Sequence, residues 1–281
     1  MKANAFKTIC LILLISLLSL SLLGCLPSNN NTEENISAGE KPPVTDTPNN
    51  SPDSGKTEEP LTPLIPAVQY NLMICAKTNG LNIRTAPKTT ASSLGQININ
   101  DMVQYVGKTG DWYITKHKNQ TAYISANTRY TEIKKFKKSN ANIEKIFNVG
   151  LPLLGIKYVY GAERYHWGNG QLNSNFSITQ FDCSSFTQYI YYKSHKVLLN
   201  TTSRTQSEQG QYVSKNQLKR GDIMFFTNSS RYHLTGIERV GHVGIYFGDN
   251  YILHTASDYS VVEFINNSRW QYYLHSRRVV W

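Results

Sequence analysis

Hydrophobic positions between residues 70 and 131 fall in short runs that alternate with polar positions. Such alternation is typical of half-buried β-strands, and Pro87 and Gly110-Asp111 provide turn residues between the runs. Several short strands at this spacing favour a small all-β barrel. The predicted strands lie within Gly80–Pro87, Leu94–Ile97, Met102–Val106, Trp112–Ile114 and Thr121–Ile124.

A different pattern begins after a basic run at Lys134–Lys138, which we interpret as a solvated connector. Apolar residues recur with a helical period over Asn142–Leu154, where Pro152 would end or kink the helix. Cys183–Tyr192 is a second predicted helix. The helices precede a run of strand-like segments, and this order predicts an α+β fold with an antiparallel sheet. Those segments are Ile223–Thr227, His242–Phe247, Tyr251–Thr255, Val261–Phe264 and Arg277–Val280.

The first residues have the composition of an export signal. Two lysines and no acid precede the apolar run Ile9–Leu23, and Gly24-Cys25 closes it. The run is short for a spanning helix, which needs about 20 apolar residues. Leu22–Cys25 resembles the lipobox of bacterial lipoproteins, which implies cleavage before Cys25 and a diacylglycerol on its thiol. The alternative is a simple signal peptide followed by an incidental cysteine.

Residues 26–66 hold eight of the ten prolines and show no apolar periodicity, so we predict a disordered stalk. This segment is acidic, which leaves the rest of a chain of net charge +10 strongly basic. A basic body attracts polyanions such as nucleic acid, anionic cell-wall polymer or lipid headgroups. Export excludes nucleic acid and leaves the cell envelope.

Two cysteines remain in the body once Cys10 leaves with the signal and Cys25 is lipidated. Cys75 and Cys183 do not form a disulfide scaffold, and no Cys/His cluster has zinc-ligand spacing, so we expect no metal and no cofactor. Asp182 stands where a helix N-cap would be. The helix dipole should then lower the pKa of Cys183 and favour its nucleophilic thiolate. The alternative is a buried, inert cysteine.

Two histidines flank a predicted hairpin with the loop Gly248-Asp249-Asn250. If Phe247 pairs with Tyr251, His254 lies opposite Gly244, and His242 and His254 become diagonal neighbours on one face. One imidazole could then orient the other as a general base. A slip of one residue would separate the two rings, and the alternative is a pair of structural histidines.

These residues resemble two known families. "GLNIRTAP", "GDWYIT" and "TAYIS" in the first half resemble bacterial SH3-like domains. "YVYGA", "FDCSSF", "LKRGDIMFF", "GHVGIYFGDN" and "ILHTAS", in this order, resemble the NlpC-type cell-wall cysteine peptidases, which have a papain-like fold. The resemblance implies that Cys183 is the nucleophile, His242 the base and His254 the residue that orients it. It implies substrate contacts at Tyr158, Asp182, Ser184, Thr202 and Ser203, with Tyr158 near the oxyanion site.

Two departures from the family pattern concern the substrate. Residues 163–180 insert an aromatic and polar stretch that either forms a wall of the cleft or is a surface loop. Thr202 replaces an aspartate that binds the free amine of the stem peptide in some members. We therefore expect stems still attached to glycan to be accepted as well.

The resemblance implies a peptidoglycan endopeptidase that hydrolyses a stem-peptide amide through a Cys183 thioester, at the D-γ-glutamyl-diamino acid bond. Acyl transfer or amidase chemistry on the same fold, and a non-catalytic wall-binding lipoprotein, are the alternatives. The expected partners are the stem peptide, anionic cell-wall polymer and the membrane through the lipid anchor, on the outer face of the cytoplasmic membrane. The expected segments are 1–24 (signal), 25–66 (lipidated Cys25 and stalk), 67–133 (SH3-like barrel) and 140–281 (peptidase).

Because Cys183, His242 and His254 all lie outside Tyr70–Thr131, deleting that segment should weaken binding to insoluble wall more than it lowers turnover of a small soluble peptide.

Overall fold

The computed structural model describes residues 68–255 and 258–281. The predicted signal peptide, Cys25 and the predicted stalk lie outside these residues. In the described ranges no helix has the length and apolar character needed to cross a membrane.

The first part of the described chain contains strands only, as the alternating pattern predicted. The strands are β1 Tyr70–Ala76, β2 Leu81–Arg84, β3 Ser93–Ile97, β4 Met102–Gln104, β5 Gly107–Thr109, β6 Trp112–His117, β7 Gln120–Ser125 and β8 Thr131–Lys137. Five of them form a sheet of order β3-β2-β7-β6-β5, which buries alternate side chains such as Ile83, Ala122 and Ile124. The predicted small all-β unit is therefore confirmed.

Strand β8 corrects the prediction of a solvated basic connector. Ile133 and the buried Phe136 flank Lys134 and Lys135 in this strand, and the whole strand pairs with β1. The reason is that lysine stems can lie along a strand while their charges reach water. Phe136 packs its ring 4.9 Å from that of Phe247 and 5.1 Å from that of Tyr251.

Both predicted helices are present. Helix α1 spans Ala141–Gly150; Asn140 caps it by accepting a hydrogen bond from the Ile143 amide. It ends in a short 3-10 turn, Leu151–Leu153, that contains Pro152. A parallel pair of short strands, β9 (Lys157–Tyr158) and β10 (Gln180–Phe181), precedes α2 (Cys183–His195).

The remaining strands form an antiparallel sheet of order β11-β16-β12-β13-β14-β15, which confirms the α+β class. The last strand begins and ends earlier than predicted, because Val280 is buried in the core without belonging to a strand. The short helix α3 spans Ser203–Gln206 and α4 spans Asn267–Gln271. The strands are β11 Gln211–Val213, β12 Ile223–Phe226, β13 His242–Gly248, β14 Tyr251–Thr255, β15 Ser260–Phe264 and β16 Tyr273–Arg278.

This sheet continues into the first part of the chain. Val262 of β15 pairs with Met102 of β4, and β4, β1 and β8 extend the sheet to nine strands. Met73, Cys75, Met102 and Phe136 belong to the same buried core as the hydrophobic side chains of α1, α2 and β13. The two parts therefore share one sheet and one core and are not structurally independent of each other.

Candidate active site

Helix α2 begins at Cys183, and the preceding residue holds its first turn in place. Asp182 accepts a hydrogen bond of 2.8 Å from the Ser185 amide, and the Ser185 hydroxyl accepts one of 2.9 Å from the Asp182 amide. This reciprocal capping satisfies amides that have no partner within the helix. Asp182 is buried and forms an ion pair of 2.8 Å with Arg164, and Ser184 donates a 3.0 Å hydrogen bond to it.

Asp182 and Ser184 therefore use their polar groups inside the protein, where they position Cys183. Direct substrate contact by these two residues, expected from the family resemblance, stays a prediction. The ion pair also gives part of the 163–180 insertion a role, because Arg164 reaches Asp182 from that segment.

The thiol of Cys183 lies at the point where α2 packs against β13. The backbone amides of Val243 and Ser184 point to its sulfur, but burial raises its pKa to about 12, and the charge of Asp182 adds to this effect. The expected lowering of this pKa is wrong, because loss of solvation outweighs the helix dipole. The resting group is a thiol, and attack requires a base that removes its proton.

The hairpin of β13 and β14 brings His242 and His254 together. The pairs Ile245–Leu253 and Tyr246–Ile252 have the predicted register, so His254 stands opposite Gly244. A Cβ atom on Gly244 would lie 2.8 Å from the Cβ of His254, so only glycine fits beside this imidazole.

The turn itself differs from the prediction. Gly248, rather than Phe247, pairs with Tyr251, and the register shifts between Tyr246 and Gly248. Asp249 and Asn250 form the two-residue turn with φ of 50° and 62°. Such a turn favours asparagine and aspartate, which tolerate positive φ. Because the register shift is confined to the end of the hairpin, the pairs Ile245–Leu253 and Tyr246–Ile252 keep the register that places the two histidines side by side.

The two imidazoles are in direct contact. Nε2 of His242 lies 2.7 Å from Nδ1 of His254, with the rings edge to face. Behind them, Nε2 of His254 lies 3.1 Å from Oε1 of Glu263, and Arg269 contacts the same oxygen. The His254–Glu263 contact is a close electrostatic approach rather than a well-aligned hydrogen bond.

Sequence reasoning missed Glu263 and Arg269. The signal for Glu263 was an acid in the alternating strand segment Val261–Phe264. The contact becomes evident only from the strand pairing. His254 of β14 pairs with Val261 of β15, and Glu263, two residues further along β15, is therefore a diagonal neighbour of His254.

The chain of contacts determines which nitrogen carries each proton. Burial raises the pKa of Glu263, but His254 and Arg269 outweigh burial and lower it to about 2, so the carboxylate only accepts. We therefore assign the His254 proton to Nε2, which leaves its Nδ1 as an acceptor for Nε2–H of His242. Nδ1 of His242 is then the free base.

Both imidazoles are neutral in this arrangement. Burial, followed by the neighbouring His254 and Arg269, places the pKa of His242 well below its ordinary value. Burial also lowers the pKa of His254, although Glu263 opposes this shift. A neutral imidazole and a protonated thiol are the protonation states from which proton transfer can begin.

Tyr158, on β9, lies near Cys183. Burial, with the negative charges that Cys183 and Asp182 can carry, raises the pKa of its phenol to about 12. The group therefore keeps its proton at neutral pH and can donate a hydrogen bond to an oxyanion. It lines a cleft of about 710 Å³ together with both histidines. The rest of the described lining is Phe226, Thr227, Asn228, Ser229, Gly241, Thr255, Asn266, Ser268, Arg269 and Tyr272.

Thr202 and Ser203 lie outside this cleft lining, at the start of α3. The Thr202 hydroxyl caps α3 by accepting a 3.3 Å hydrogen bond from the Thr205 amide. Gln206 then joins α3 to α2 through a 3.0 Å hydrogen bond to the Ser184 carbonyl. A substrate contact by Thr202 or Ser203 stays a prediction. Among the residues that the structure describes, no group of three or more His, Cys, Asp or Glu side chains is arranged to hold a metal ion.

Comparison with known proteins gives two matches within the chain. Residues 157–279 match the NlpC/P60 family and residues 79–130 match the bacterial SH3 domain. The chain therefore carries an NlpC/P60 family domain preceded by a bacterial SH3 domain.

Among curated relatives, the peptidoglycan DL-endopeptidase CwlO of Bacillus licheniformis is 32% identical over 40% of this chain and 24% of that protein. A γ-D-glutamyl-L-lysine dipeptidyl-peptidase of Bacillus cereus is 34% identical over 43% of this chain and 31% of that protein. The chain thus covers about a quarter to a third of the length of these relatives. A solved NlpC/P60 family protein from Bacillus cereus is 23% identical over 74% of this chain and 63% of that chain, with a TM-score of 0.40.

Proposed function

We propose that this protein is a cysteine peptidase that hydrolyses an amide in the peptidoglycan stem peptide through a thioester on Cys183. The observation that carries the proposal is the series of contacts from Glu263 through His254 to His242, on strands of the sheet against which α2, the helix that begins at Cys183, packs. The NlpC/P60 domain and the named activities of the relatives support peptidoglycan as the substrate.

The reaction begins with proton transfer. Nδ1 of His242 removes the Sγ proton as the sulfur attacks the scissile carbonyl carbon, so the positive charge on the imidazole balances the negative charge on the carbonyl oxygen. The Tyr158 hydroxyl and the backbone amide of Cys183, at the start of α2, are the proposed donors to this oxyanion. Collapse breaks the C–N bond, and His242 returns the proton to the leaving amine.

Water completes the cycle. His242, neutral again, removes a proton from water, the hydroxide attacks the thioester carbon, and Cys183 leaves and is reprotonated. The transient imidazolium at His242 donates to His254, and the Glu263 carboxylate stabilises that positive charge through His254. This Glu263–His254–His242 relay therefore stabilises the transient charged states of the reaction more than it stabilises the resting enzyme, in which both imidazoles are neutral.

The bond we propose is the one between D-γ-glutamyl and the diamino acid. We infer that stems still attached to glycan are accepted as well, because Thr202 is neutral and its hydroxyl already caps α3. Rejection of an acylated stem would require a buried carboxylate left without its cation, which is costly.

Mass spectrometry of products tests this function. Wild-type protein, residues 67–281, should release fragments that carry the mass of one added water at the γ-glutamyl carboxyl group. The substrates are a free L-Ala-D-γ-Glu-diamino acid peptide and the same stem bearing muramic acid. Fragments joined to an added amine would indicate acyl transfer, and failure to cleave either substrate would contradict the proposal. A preference of about 100-fold for the free peptide, or ~2.7 kcal/mol, would refute the inference from Thr202.

We place the enzyme in the cell envelope, outside the cytoplasm, and propose that a lipid on Cys25 anchors it to the outer face of the cytoplasmic membrane. The basic body supports additional attraction to anionic cell-wall polymer. Mass spectrometry of the N-terminus of membrane-extracted protein tests the anchor, and a soluble protein without lipid mass would contradict it.

Glu263→Gln should lower turnover by about tenfold, because the charge that stabilises the imidazolium is lost while the side-chain shape remains. The wild-type rate should hold as pH falls through 6.5, since the pKa of His242 lies below its ordinary value. Removing the carboxylate lowers the histidine pKa values further, so the acid limb of kcat/KM should move to still lower pH.

The matched control is Glu238→Gln, which removes an acid whose side chain is 61% exposed. It should change neither the rate nor the pH profile. A Glu263→Gln profile with the wild-type acid limb would contradict the relay, even if the rate fell.

A further inference from the structure

Arg269 is the one charged side chain in the described lining of the cleft, since both histidines are neutral. Its Nη2 contacts Glu263, and its side chain is 29% exposed. In the described ranges, its Nε and Nη1 make no hydrogen bond to protein. The guanidinium therefore presents unused donors to the cleft.

Tyr158 and His242 both line the cleft, so the cleft includes the side of the leaving group. His242 must deliver its proton to the leaving amine, so the residue after the scissile bond has to lie beside His242. His242 and His254 line this cleft, while Cys183 and Asp182 do not. The segment after β12 and helix α4 complete it, and α4 carries Arg269.

The charge presented to this residue is positive. Glu263, whose side chain is 25% exposed, neutralises part of the guanidinium charge but is not among the described residues that line the cleft. The neighbouring Asn228, Ser229 and Ser268 are polar and neutral. A ligand carboxylate finds charge-assisted donors here, whereas an ammonium group meets a cation and no acid in the described lining.

We propose that Arg269 binds a carboxylate on the side chain of the diamino acid that follows the scissile bond. The enzyme then prefers a diaminopimelate-type residue, whose side chain ends in both an amine and a carboxylate, over lysine, whose side chain ends in an amine alone. This inference rests on the proposed function, because it assigns the leaving-side pocket of the same reaction.

Three synthetic substrates isolate the side-chain charge. Each is L-Ala-D-γ-Glu-X with its C-terminal carboxyl amidated, and X is meso-diaminopimelate, meso-diaminopimelate with an amidated side-chain carboxyl, or L-lysine. Wild-type kcat/KM should be about tenfold higher for the first substrate than for the other two, as expected for one partly exposed charged hydrogen bond.

Arg269→Gln should reduce this preference to about one, whereas Arg269→Lys should keep part of it. Because Arg269 also contacts Glu263, turnover of every substrate should fall; the ratio between substrates separates recognition from this shared loss. Glu263→Gln is the matched control, since it impairs the relay and should leave a preference for the carboxylate. Ser268→Asp adds an acid to the cleft lining and should shift the preference toward lysine without touching Arg269.

Equal cleavage of the three substrates by the wild type, or equal loss on all three in Arg269→Gln, would overturn the assignment of Arg269 and leave the peptidase function standing. Failure of the wild type to cleave any of them would contradict the proposed bond, and the inference with it. Melting curves of each variant should be recorded so that unfolding is recognised.

Discussion

Cys183→Ala is expected to abolish cleavage of wall and of soluble peptide, with a loss of at least about 10⁴-fold, while the fold remains intact. The reason is that Cys183 supplies the sulfur that attacks the scissile carbonyl in the proposed mechanism, and alanine carries no nucleophile. The side chain is at the start of α2, so its loss leaves the capping by Asp182 and Ser185 unchanged. Turnover is measured on purified wall, and the fold by circular dichroism.

The other free cysteine of the described chain provides a matched control. Cys75 is buried in the shared core, where burial raises the pKa of its thiol, and it has no histidine relay. Cys75→Ala should retain turnover at a modest cost in stability. His242→Ala should match the loss at Cys183, and His254→Ala should cost less because it orients the base. Wild-type turnover in Cys183→Ala would refute the mechanism.

Deletion of Tyr70–Thr131 is expected to unfold the catalytic part of the molecule, although that part lies outside the deleted segment. The deletion removes β1 and β4, leaves β15 with an unpaired edge, and uncovers the core around Phe247. Met73, Cys75 and Met102 leave that core, and Phe136 loses the strand that holds it. Burial of one such side chain stabilises the fold by about 1.5–3 kcal/mol, so the loss of burial at these four positions lowers the free energy of unfolding by roughly 6–12 kcal/mol. A whole domain is stable by only about 5–15 kcal/mol.

We therefore expect the deletion variant to lose turnover on both wall and soluble peptide. This differs from the prediction made from the sequence, in which wall binding is weakened more than turnover. Soluble yield, a thermal melt and turnover of a small peptide measure the effect. Trp112→Ala is the control within the same segment, because Trp112 lies in the separate five-stranded sheet and outside both cores. A truncated protein that melts cooperatively and cleaves the peptide at the wild-type rate would contradict the shared core.

The parts of the site that the sequence predicted depend on short-range interactions. Asp182 and Ser185 are close in sequence, and their reciprocal capping starts α2 at Cys183. The polar turn at Asp249-Asn250 joins two alternating strands, and this spacing places His254 opposite Gly244. Helix caps and tight hairpins involve neighbours along the chain, so residue types and spacing predicted the cap and the strand register, although not the shift between Tyr246 and Gly248.

What the sequence alone determined is therefore the two-part β and α+β order, the capped helix start and the hairpin that pairs the histidines. Only the tertiary structure decided the pairing of Met102 with Val262, the place of Glu263 and Arg269 behind His254, and the raised pKa of Cys183. Strand pairing between distant segments depends on the packing of the whole core, and the solvation of a thiol depends on every atom around it. Neither quantity is encoded in the spacing of residues along a local motif.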